Sequence, residues 1–496
     1  MAAPATTLTQ TDEPEENEPV PRPFLFLVLE ANRPLAPGAR FDLDVVGEVS
    51  FGRGERGHLR GHGGAGEPDK LTISIPDPWM SSAHARLSRR GGAWLFTDLG
   101  SRNGSRVNGA TVQERALVDG DVLELGGAFF VFRRALPAPR GSGDPDFEAG
   151  QAALPAPGIE TLLPQLAADL DKMVRIAPSD VSIVVQGETG VGKEVIARAI
   201  HVISGRTGPF VAVNCGAIPE QLVESELFGH KKGAFSGALT DRVGFVQAAE
   251  GGTLFLDEIG EMRPGSQTAL LRVLQERQVV PLGSSKPIDV DVRVVAATHR
   301  PLAQLTAGGA FRADLLARLS GFTLELPPLR ARREDLGLLI GGFLRKVRGA
   351  RASAVTLAPP ALRALLGHAW PMNIRELQKA IEAALVLATD DKIAREHLPG
   401  FEASTMMTPV GGAGTSELIA SQGAGGAPAA AGPGRAAPRP VKLDLSEEER
   451  ARKDELEKLL VEHKGNLTAV ARAMDRDRTL IRRWLQRYGL DPEKFR

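Results

Sequence analysis

The sequence predicts a multidomain protein with an all-β sandwich at its N-terminus, a central α/β domain and an all-α segment at its C-terminus. Short apolar runs, separated by turns rich in Gly, Asp, Asn and Pro, fill residues 23–134, which is typical of a β-sandwich. Strand-like and helical runs then alternate over residues 159–400, as they do in a parallel α/β sheet. Helical periodicity returns in residues 445–496.

Other segments have the composition of chain without a core. Residues 1–22 are acidic and Pro-rich and are predicted to form a disordered tail. Residues 135–158 contain Ala-Leu-Pro-Ala-Pro twice and are predicted to be a linker, and residues 401–444, rich in Gly, Ala, Ser and Pro, a flexible one. Within the sandwich, residues 54–70 contain six glycines, which predicts a long, mobile loop.

Composition limits the function classes. The 496 residues are 42% apolar and 24% charged, enough for two to four domains with buried cores. Because the net charge is only −1, any nucleic-acid contact depends on a local basic patch. A single cysteine, Cys215, excludes an intrachain disulfide and favours a cytoplasmic protein. No run approaches the ~20 apolar residues of a transmembrane helix, and the N-terminus lacks a signal-peptide pattern, so we predict no membrane association.

A glycine-rich loop lies where strand-like residues 181–185 give way to helix-compatible residues 195–203. In such a loop the backbone N–H groups cradle phosphate oxygens, and the helix N-terminus adds a positive dipole end. Its lysine would reach the β- and γ-phosphates of ATP. The predicted nucleotide-binding residues are Gly187, Glu188, Thr189, Gly190, Val191, Gly192, Lys193 and Glu194. Since many such loops place a Ser or Thr ligand for Mg²⁺ at the last position, either other groups hold the metal or the loop follows a subfamily pattern.

Two acidic residues complete a predicted site for ATP hydrolysis. The apolar run 251–256 reads as a buried strand, and it ends in Asp257 and Glu258. Asp257 would hold Mg²⁺ directly or through water, and Glu258 would polarise the attacking water. An Asp-Glu pair by itself indicates only a solvated strand end, but its position after a glycine loop predicts a catalytic pair.

A phenylalanine between small residues is unsuited to a core strand and suited to an exposed partner contact. The hexapeptide that contains it is Gly233, Ala234, Phe235, Ser236, Gly237 and Ala238. With its flanks, residues 226–238, it closely resembles the surface loop of bacterial enhancer-binding activators, the AAA+ ATPases that remodel sigma-54 RNA polymerase. The family usually has Thr where Ser236 stands. The resemblance implies that the hexapeptide contacts sigma-54, that the α/β domain carries an α-helical lid, and that Glu194 is the residue expected after the loop lysine.

The same resemblance implies nucleotide-sensing roles for three further residues. Asn214 matches a switch residue that holds the catalytic Glu until the γ-phosphate is sensed. Thr298 matches the residue called sensor I. Arg375 matches sensor II, the nucleotide contact of the lid, although Met372 stands where the family usually has Gly.

Two arginines match the segment that carries the family's arginine fingers. Arg312 and Arg318 would reach the γ-phosphate bound by a neighbouring subunit. An arginine supplied in this way stabilises the charge of the transition state. The resemblance therefore implies a homo-oligomer, with a hexameric ring as the expected form.

Four turn motifs of the predicted sandwich resemble those of a forkhead-associated (FHA) domain, which reads phosphothreonine peptides. They are Gly52-Arg53, Ser81-Ser82-Ala83-His84, Ser101-Arg102-Asn103-Gly104 and Val107-Asn108-Gly109. The resemblance implies that Arg53 and Ser81 contact the phosphate, with Arg102 as a further candidate. It also implies that Asn103 holds the peptide backbone and that His84 braces the loop. A phosphate dianion suits these guanidinium, hydroxyl and amide donors. The alternative is a sandwich that has lost peptide binding and serves only as a docking surface.

The C-terminal segment resembles the Fis-like helix-turn-helix of the same activators. Leu456, Leu459 and Leu460 lie on one face of the first predicted helix, and Asn466 is a candidate N-cap for the second. The outward residues of the third helix, predicted to bind enhancer DNA, are Arg478, Thr479, Arg482 and Arg483. Asp475 and Arg476 depart from the family's turn, and a basic solvated helix is the alternative.

Together these patterns predict a sigma-54-dependent transcriptional activator that binds upstream DNA and is regulated by phosphothreonine recognition. Its cofactors would be ATP and Mg²⁺. Its partners would be the sigma-54 RNA polymerase holoenzyme, enhancer DNA and a phosphothreonine-containing protein, with a Ser/Thr kinase as the hypothetical upstream partner. Two alternatives stay open: a general AAA+ protein remodeller, and a DNA-binding adaptor whose ATPase has decayed.

Overall fold

A computed structural model describes residues 19–64, 67–140, 146–151, 154–219, 221–398, 400, 456–463, 469–470 and 473–474. The chain forms two compact units, Met1–Ala413 and Gly414–Arg496. The predicted DNA-binding residues and Asn466 lie outside the described residues, as do most of the predicted tail and the whole linker 401–444.

The N-terminal part of the first unit is a β-sandwich, as predicted. Its strands are β1 (Val20–Glu30), β2 (Ala39–Asp42), β3 (Val46–Arg53), β4 (Gly57–Gly61), β5 (Asp69–Ile75), β6 (Ala85–Arg90), β7 (Ala93–Asp98), β8 (Ser105–Val107), β9 (Ala110–Val112), β10 (Glu114–Ala116), β11 (Val122–Leu125), β12 (Ala128–Ala138) and β13 (Asp146–Glu148). One sheet has the order β13-β2-β1-β12-β11-β8-β9 and the other β10-β7-β6-β3-β5-β4. Between the sheets lies a core that includes Leu25, Phe51 and Phe130.

The predicted limits of the sandwich were too narrow. Strand β1 begins at Val20, inside the predicted tail, and pairs there with Ala138, inside the predicted linker. Strand β13, also in that linker, pairs with β2. Pro21 faces Pro137 where β1 pairs with β12 alone, since β2 pairs with β1 only from Phe24. Proline is tolerated at such edge positions, so its presence did not exclude a strand.

The predicted loop 54–70 also contains a strand. Residues Gly57–Gly61 form β4, which pairs antiparallel with β5 at the edge of its sheet. Arg60 in β4 donates two hydrogen bonds to the carboxylate of Asp146 in β13, at 2.6 and 3.0 Å. Because Asp146 lies 86 residues away in the chain, the local glycine content did not indicate this contact.

The central part of the first unit is an α/β domain. Its strands are β14 (Ile183–Gln186), β15 (Phe210–Asn214), β16 (Thr253–Asp257), β17 (Gln278–Val279), β18 (Ile288–Asp289), β19 (Arg293–Thr298) and β20 (Phe322–Glu325). Its helices are α1 (Pro164–Ile176), α2 (Lys193–Ser204), α3 (Val223–Phe228), α4 (Phe245–Ala248), α5 (Pro264–Glu276), α6 (Leu302–Ala307) and α7 (Ala313–Leu319). Five strands form a parallel sheet in the order β15-β16-β19-β14-β20, which confirms the predicted fold class.

A helical domain follows the sheet, in agreement with the lid that the resemblance implied. Its elements are α8 (Leu336–Arg348), β21 (Thr356–Leu357), α9 (Pro359–Gly367), α10 (Asn373–Leu387) and β22 (Lys392–Ile393). Two 3-10 turns, Leu329–Ala331 and Arg333–Asp335, join it to β20, and we call residues 329–335 the hinge segment. None of the helices in the described part of the chain is long enough to cross a membrane.

The sandwich and the helical domain share one hydrophobic core. Alternate residues of β1, such as Phe26 and Val28, turn away from the sandwich interior and pack with Leu336, Ile340 and Trp370. Every residue of β1 from 24 to 30 is therefore buried. The contact is so close that a Cβ at Gly337, in the first turn of α8, would collide with the Val28 carbonyl. The two domains are thus packed as one body.

Polar contacts fasten the same interface. Arg363 of α9 donates hydrogen bonds to both carboxylate oxygens of Glu124 in β11, at 2.7 and 2.8 Å. The backbone N–H of Leu357 donates to the carbonyl of Ala31 at the end of β1, at 2.9 Å. On the side of the α/β domain, Arg40 donates to the Leu162 carbonyl at 3.0 Å.

The hinge segment carries a buried acid against the sandwich. Glu334 is 1% exposed and forms an ion pair with Arg133 of β12 at 3.2 Å. Burial raises the pKa of Glu334 to about 7. The negative charges of Asp335 and Asp119 also raise this pKa, whereas the positive charge of Arg133 lowers it. The carboxylate therefore titrates near neutral pH at the boundary between the domains.

In the second unit, residues 456–462 are helical, with Leu456 and Leu460 fully buried. Leu459 is half-buried in the same helix, which agrees with the predicted apolar face. Val470, in the next described helical stretch, is also buried. The helix-turn-helix as a whole stays a prediction.

The Glu334 carboxyl predicts a pH dependence of stability. Its pKa in the folded protein is about 7, above the ordinary value of 4.5, so the folded state binds more protons than the unfolded state between these two pH values. The free energy of unfolding should therefore fall as pH rises through this window. We expect Glu334→Gln, whose side chain cannot ionise, to lack this pH-dependent fall in the free energy of unfolding. Urea midpoints from pH 5 to 8, followed by tryptophan fluorescence, would measure the difference, and parallel profiles for the two proteins would refute it.

Candidate nucleotide-binding site and partner-binding loops

The glycine-rich loop connects β14 to α2, at the carboxyl edge of the parallel sheet. The backbone φ angle is positive at Gly187, Gly190 and Gly192, with values of 154°, 81° and 103°. At Gly190, a Cβ would also collide with the Met372 carbonyl just before α10. Glycine is thus required there both by the backbone conformation and by the close approach of the helical domain.

The helical domain and the hinge segment hold the outer side of this loop. Asn373, the first residue of α10, is fully buried and donates to the Thr189 carbonyl at 3.0 Å and to the Glu188 carboxylate at 3.1 Å. Arg330 donates to both carboxylate oxygens of Glu188, at 2.5 and 2.8 Å. These contacts, the Arg330 hydrogen bonds first, lower the pKa of Glu188 to about 2.

A second arginine of the hinge segment contacts the loop from a buried position. Arg332 donates to the Val191 carbonyl at 2.7 Å, and burial lowers the pKa of its guanidinium. The carbonyls of the loop are thus turned toward the helical domain. Any movement of the hinge segment would be transmitted to the loop.

The loop lysine reaches the acid that follows β16. Lys193 Nζ, only 7% exposed, lies 3.3 Å from the Glu258 carboxylate and donates to the Gly187 carbonyl at 2.9 Å. The other carboxylate oxygen of Glu258 contacts His299 Nδ1 at 2.6 Å. Burial opposes ionisation of Glu258, but His299 and Lys193 outweigh it and lower the pKa of this carboxyl. Glu258 is therefore ionised and oriented.

Asp257, the neighbouring acid, behaves in the opposite way. Burial raises the pKa of its carboxyl, and the charge of Glu258 adds to the effect. In strand register it stands beside Asn214 at the end of β15. The Asn214 side-chain oxygen accepts hydrogen bonds from Gly216 and Ala217 in its own turn, at 3.0 and 3.1 Å. The contacts of the Glu258 carboxylate come from Lys193 and His299, and the switch role of Asn214 stays a prediction.

Thr298 lies at the end of β19, fully buried and paired in register with Gln186 of β14. Its carbonyl accepts a hydrogen bond from the Gly187 N–H at 3.2 Å, which anchors the start of the loop. A cavity of about 660 Å³ adjoins this point, and its lining includes His299 and Glu188. The volume lies in the range of small-molecule sites.

The three predicted arginines fall into two groups. Arg375, in the first turn of α10, is placed against the loop, where its N–H donates to the Gly190 carbonyl at 3.3 Å. Arg312 immediately precedes α7, and Arg318 lies on its exposed face. Leu315 and Leu319 of the same helix are buried. Arg312 pairs with Asp314 at 2.6 Å. Among the described residues, no hydrogen bond or ion pair joins either arginine to Lys193, Glu258 or His299.

The hexapeptide forms a compact turn at the surface. The Gly233 N–H donates to the Ala238 carbonyl at 2.9 Å, and the Ala238 N–H donates to the Phe235 carbonyl at 3.0 Å. Phe235 is 37% exposed, and its ring meets that of His230 edge to face at 5.0 Å. The expectation of an exposed aromatic is met, and one side of the ring rests on His230.

The FHA-like residues converge at one end of the sandwich. The Arg53 N–H donates to the Ser81 carbonyl at 2.9 Å, and the Arg102 N–H donates to the Ser81 hydroxyl at 3.1 Å. The exposed Asn103 side chain donates to the Trp79 carbonyl at 2.8 Å. Residues 21 to 24 positions apart are therefore brought together.

A buried pair supports these loops from below. His84 is fully buried and accepts a hydrogen bond from the Ser81 N–H at 3.0 Å, as a brace would. Burial lowers the pKa of His84, so the ring is neutral and able to accept. Asp98 accepts from the Ser101 N–H and hydroxyl, both at 2.7 Å, and fixes the second loop.

Sequence reasoning missed several residues of the nucleotide site. His299 was not among the predicted site residues, and its position directly after a strand end was the available signal. Asn373, Arg330 and Arg332 contact the loop from positions 141 to 185 residues away. No local sequence pattern predicts contacts over such distances in the chain.

Comparison with known proteins agrees with this geometry. Residues 161–325 match the family model of the sigma-54 interaction domain, residues 330–406 that of the AAA+ ATPase lid domain, and residues 49–126 that of the FHA domain. The predicted sigma-54 interaction domain, its lid and the FHA domain are therefore confirmed, whereas the C-terminal helix-turn-helix stays a prediction.

Two curated relatives and one solved structure illustrate the extent of the likeness. Transcriptional regulatory protein ZraR of Klebsiella oxytoca is 48% identical over 238 residues, which are 48% of this chain and 54% of ZraR. The chain thus spans about half the length of that relative. The crystal structure of NtrX from Brucella abortus in complex with ATP matches with a TM-score of 0.45 at 29% identity, covering 67% of this chain and 69% of NtrX.

The second relative is more extensively matched. Transcriptional regulatory protein GlrR of Escherichia coli strain K12 is 41% identical over 344 residues, which are 68% of this chain and 69% of GlrR. Identity at this level over more than two thirds of a relative, together with the matched sigma-54 interaction domain, establishes the family. The chain belongs to the sigma-54-dependent transcriptional regulators and carries their AAA+ ATPase domain together with an FHA domain.

Proposed function

We propose that this protein binds upstream DNA and hydrolyses ATP in a homo-oligomeric ring to remodel sigma-54 RNA polymerase, under the control of a phosphothreonine ligand. The observation that carries the proposal is the group formed by Lys193, Glu258 and His299 at the carboxyl edge of the sheet. Such an edge is where open α/β sheets bind their ligands.

Glu258 is the proposed base for the attacking water. Its ionised carboxylate can accept a proton, and His299 fixes its orientation through the 2.6 Å contact. Lys193, at 3.3 Å, occupies the position from which it can exchange this carboxylate for a γ-phosphate. ATP binding would therefore release Glu258 from Lys193 and free it to act on water.

Asp257 fits a role in holding Mg²⁺. Among the described residues there is no cluster of three His, Cys, Asp or Glu side chains that could hold a metal ion. Mg²⁺ usually binds through one or two carboxylates together with substrate phosphates. A nearby cation would relieve the cost of ionising the Asp257 carboxyl, whose pKa is raised by burial and Glu258. When bound, Mg²⁺ would neutralise charge that develops on the phosphates.

Arg312 and Arg318 are proposed to act on the nucleotide of a neighbouring subunit. Their exposure on α7 leaves both guanidinium groups accessible to a second copy of the chain. Arg375 would contact the nucleotide of its own subunit, since its helix begins at the glycine loop. A hexamer is the proposed form of the ring.

The exposed face of Phe235 is the proposed sigma-54 contact, with the remainder of the hexapeptide shaping the turn. Arg53, Ser81, Arg102 and Asn103 are proposed to bind the phosphothreonine ligand, which a Ser/Thr kinase would produce. The C-terminal segment, with Arg478, Thr479, Arg482 and Arg483, is proposed to bind enhancer DNA.

The decisive experiment is in vitro transcription from a sigma-54 promoter with ATP. ATP turnover without any promoter opening would favour a general protein remodeller instead.

Removal of His299 should change the pH profile of hydrolysis. Without this partner the pKa of Glu258 rises toward its ordinary value, so His299→Ala should lose activity at a higher pH than the wild type as the pH is lowered. Phosphate release from pH 4 to 8 would measure the shift, because this range contains the ordinary carboxyl pKa of 4.5. Glu258→Gln should lower kcat by roughly 10²-fold or more at every pH. An unshifted acid limb in His299→Ala would contradict the role of His299.

Phe235→Ala should separate hydrolysis from transcription. The ring packs on His230 away from Lys193 and Glu258, so ATP turnover should stay within about twofold of the wild type. Open-complex formation on a sigma-54 promoter should be lost. The control is Leu239→Ala, which truncates a more exposed side chain, 80% exposed, just beyond the hexapeptide. Equal transcription by Phe235→Ala and wild type would refute the contact.

Arg53→Ala should weaken phosphothreonine binding by roughly tenfold or more, because hydrogen bonds to a charged group are the strong ones. Fluorescence anisotropy with a library of phosphothreonine peptides would measure this. Arg90→Ala is the matched control, since Arg90 is an exposed arginine at the far end of β6. If both variants bound the library as the wild type does, the sandwich would be a docking surface only.

A further inference from the structure

A cleft with charged residues in its lining separates the FHA-like loops from the helical domain. Its cavity is about 410 Å³, a size that suits a ligand segment. On one side its lining includes Trp79 and Asn103, which belong to the loops that carry the proposed phosphothreonine site. On the other side it includes Arg363 of α9 and Lys392 of β22. One binding surface is thus built from two domains.

Backbone contacts fix the two walls relative to each other. Strands β21 and β22 pair through Thr356 and Lys392, and the next residue of β21, Leu357, donates to the Ala31 carbonyl of the sandwich. The Ala31 N–H in turn donates to the Gly127 carbonyl, at 2.8 Å. Lys392 is therefore held against the sandwich by a short chain of main-chain hydrogen bonds.

The turn between β11 and β12, which contains Gly127, connects to the phosphothreonine loops. Asp77 accepts a hydrogen bond from the Gly127 N–H at 2.5 Å and another from the Trp79 N–H at 2.8 Å. The Trp79 carbonyl accepts from the Asn103 side chain, at 2.8 Å. A peptide held by Asn103 would thus run along the opening of the cleft.

The charges that line the cleft favour an acidic ligand. Arg106, Arg363 and Lys392 contribute three positive charges, and Glu124 contributes the one negative charge among its described lining residues. Glu124, 5% exposed in its side chain, is already paired with Arg363 at 2.7 Å and Arg106 at 3.3 Å. The exposed Lys392 therefore presents its charge to the cleft.

We propose that the cleft between the sandwich and the helical domain binds the acidic flank of the phosphothreonine ligand, with Lys392 of the lid as a specificity-determining residue. This inference rests on the proposed phosphothreonine function. It adds that the ligand contacts the lid directly. By linkage, a ligand that touches both domains stabilises the docked arrangement in which the hinge segment contacts the glycine loop.

The test uses full-length protein and three fluorescent peptide libraries. The first has a central phosphothreonine with flanks drawn from Asp, Glu, Gly and Ser. The second has the same centre with flanks drawn from Lys, Arg, Gly and Ser, and the third is the acidic library with unphosphorylated Thr. Anisotropy would be measured for the wild type, Arg53→Ala, Lys392→Glu and Lys379→Glu. Lys379 is an exposed lysine of α10 outside the cleft, 77% exposed in its side chain, and provides the matched charge reversal.

We expect the wild type to prefer the acidic phosphorylated library and Lys392→Glu to weaken that binding about three- to tenfold. Lys379→Glu should bind as the wild type does. Wild-type affinity in Lys392→Glu, or no preference between the two phosphorylated libraries, would overturn the proposed role of the cleft. If binding were still lost in Arg53→Ala, the phosphothreonine function would stand. Failure of the wild type to distinguish phosphorylated from unphosphorylated peptides would overturn both.

Discussion

The packing of the outer face of β1 against the helical domain is the contact on which the arrangement of the first unit depends. Phe26 and Val28 leave the sandwich interior to join a core with Leu336 and Trp370. Both faces of β1 are apolar, so exposing either face to solvent would remove burial that stabilises the fold. The FHA-like sandwich is consequently an integral layer of the ATPase unit. A ligand bound at its loops acts on a body already attached to the lid.

The hinge segment gives this attachment a route to the chemistry. Arg330 and Arg332 contact the glycine loop, whereas Glu334 pairs with Arg133 of the sandwich and Asp335 accepts hydrogen bonds from Thr161 and Leu162. Neighbouring residues of one short segment thus contact the phosphate-binding loop, the sandwich and the start of the α/β domain. Because buried charges are costly to separate from their partners, the segment favours discrete arrangements over gradual ones. Any coupling between the proposed phosphothreonine ligand and hydrolysis would therefore pass through contacts a few residues apart.

Errors in reading the sequence arose where tertiary pairing overrode local composition. The Pro-rich residues 135–158 read as a linker, yet Ala138 pairs with Val20 and Asp146 accepts from Arg60. The glycines of residues 54–70 read as a loop, yet β4 forms there because β5 offers an edge to pair with. In both cases the partner lies elsewhere in the chain, and the energy of pairing exceeds the weak local preference.

The sequence by itself determined the fold of each described domain and much of the nucleotide site, because a glycine loop, a strand ending in two acids and an exposed hexapeptide are local patterns with local physical causes. Lys193 and Glu258 were identified in this way, and they lie together. Only the tertiary structure decided that His299 contacts Glu258, that Asn373 donates to the loop, and that the lid closes a cleft beside Asn103. These contacts depend on how separate elements pack, and packing is decided by burial and charge pairing over distances in the chain that no local pattern records.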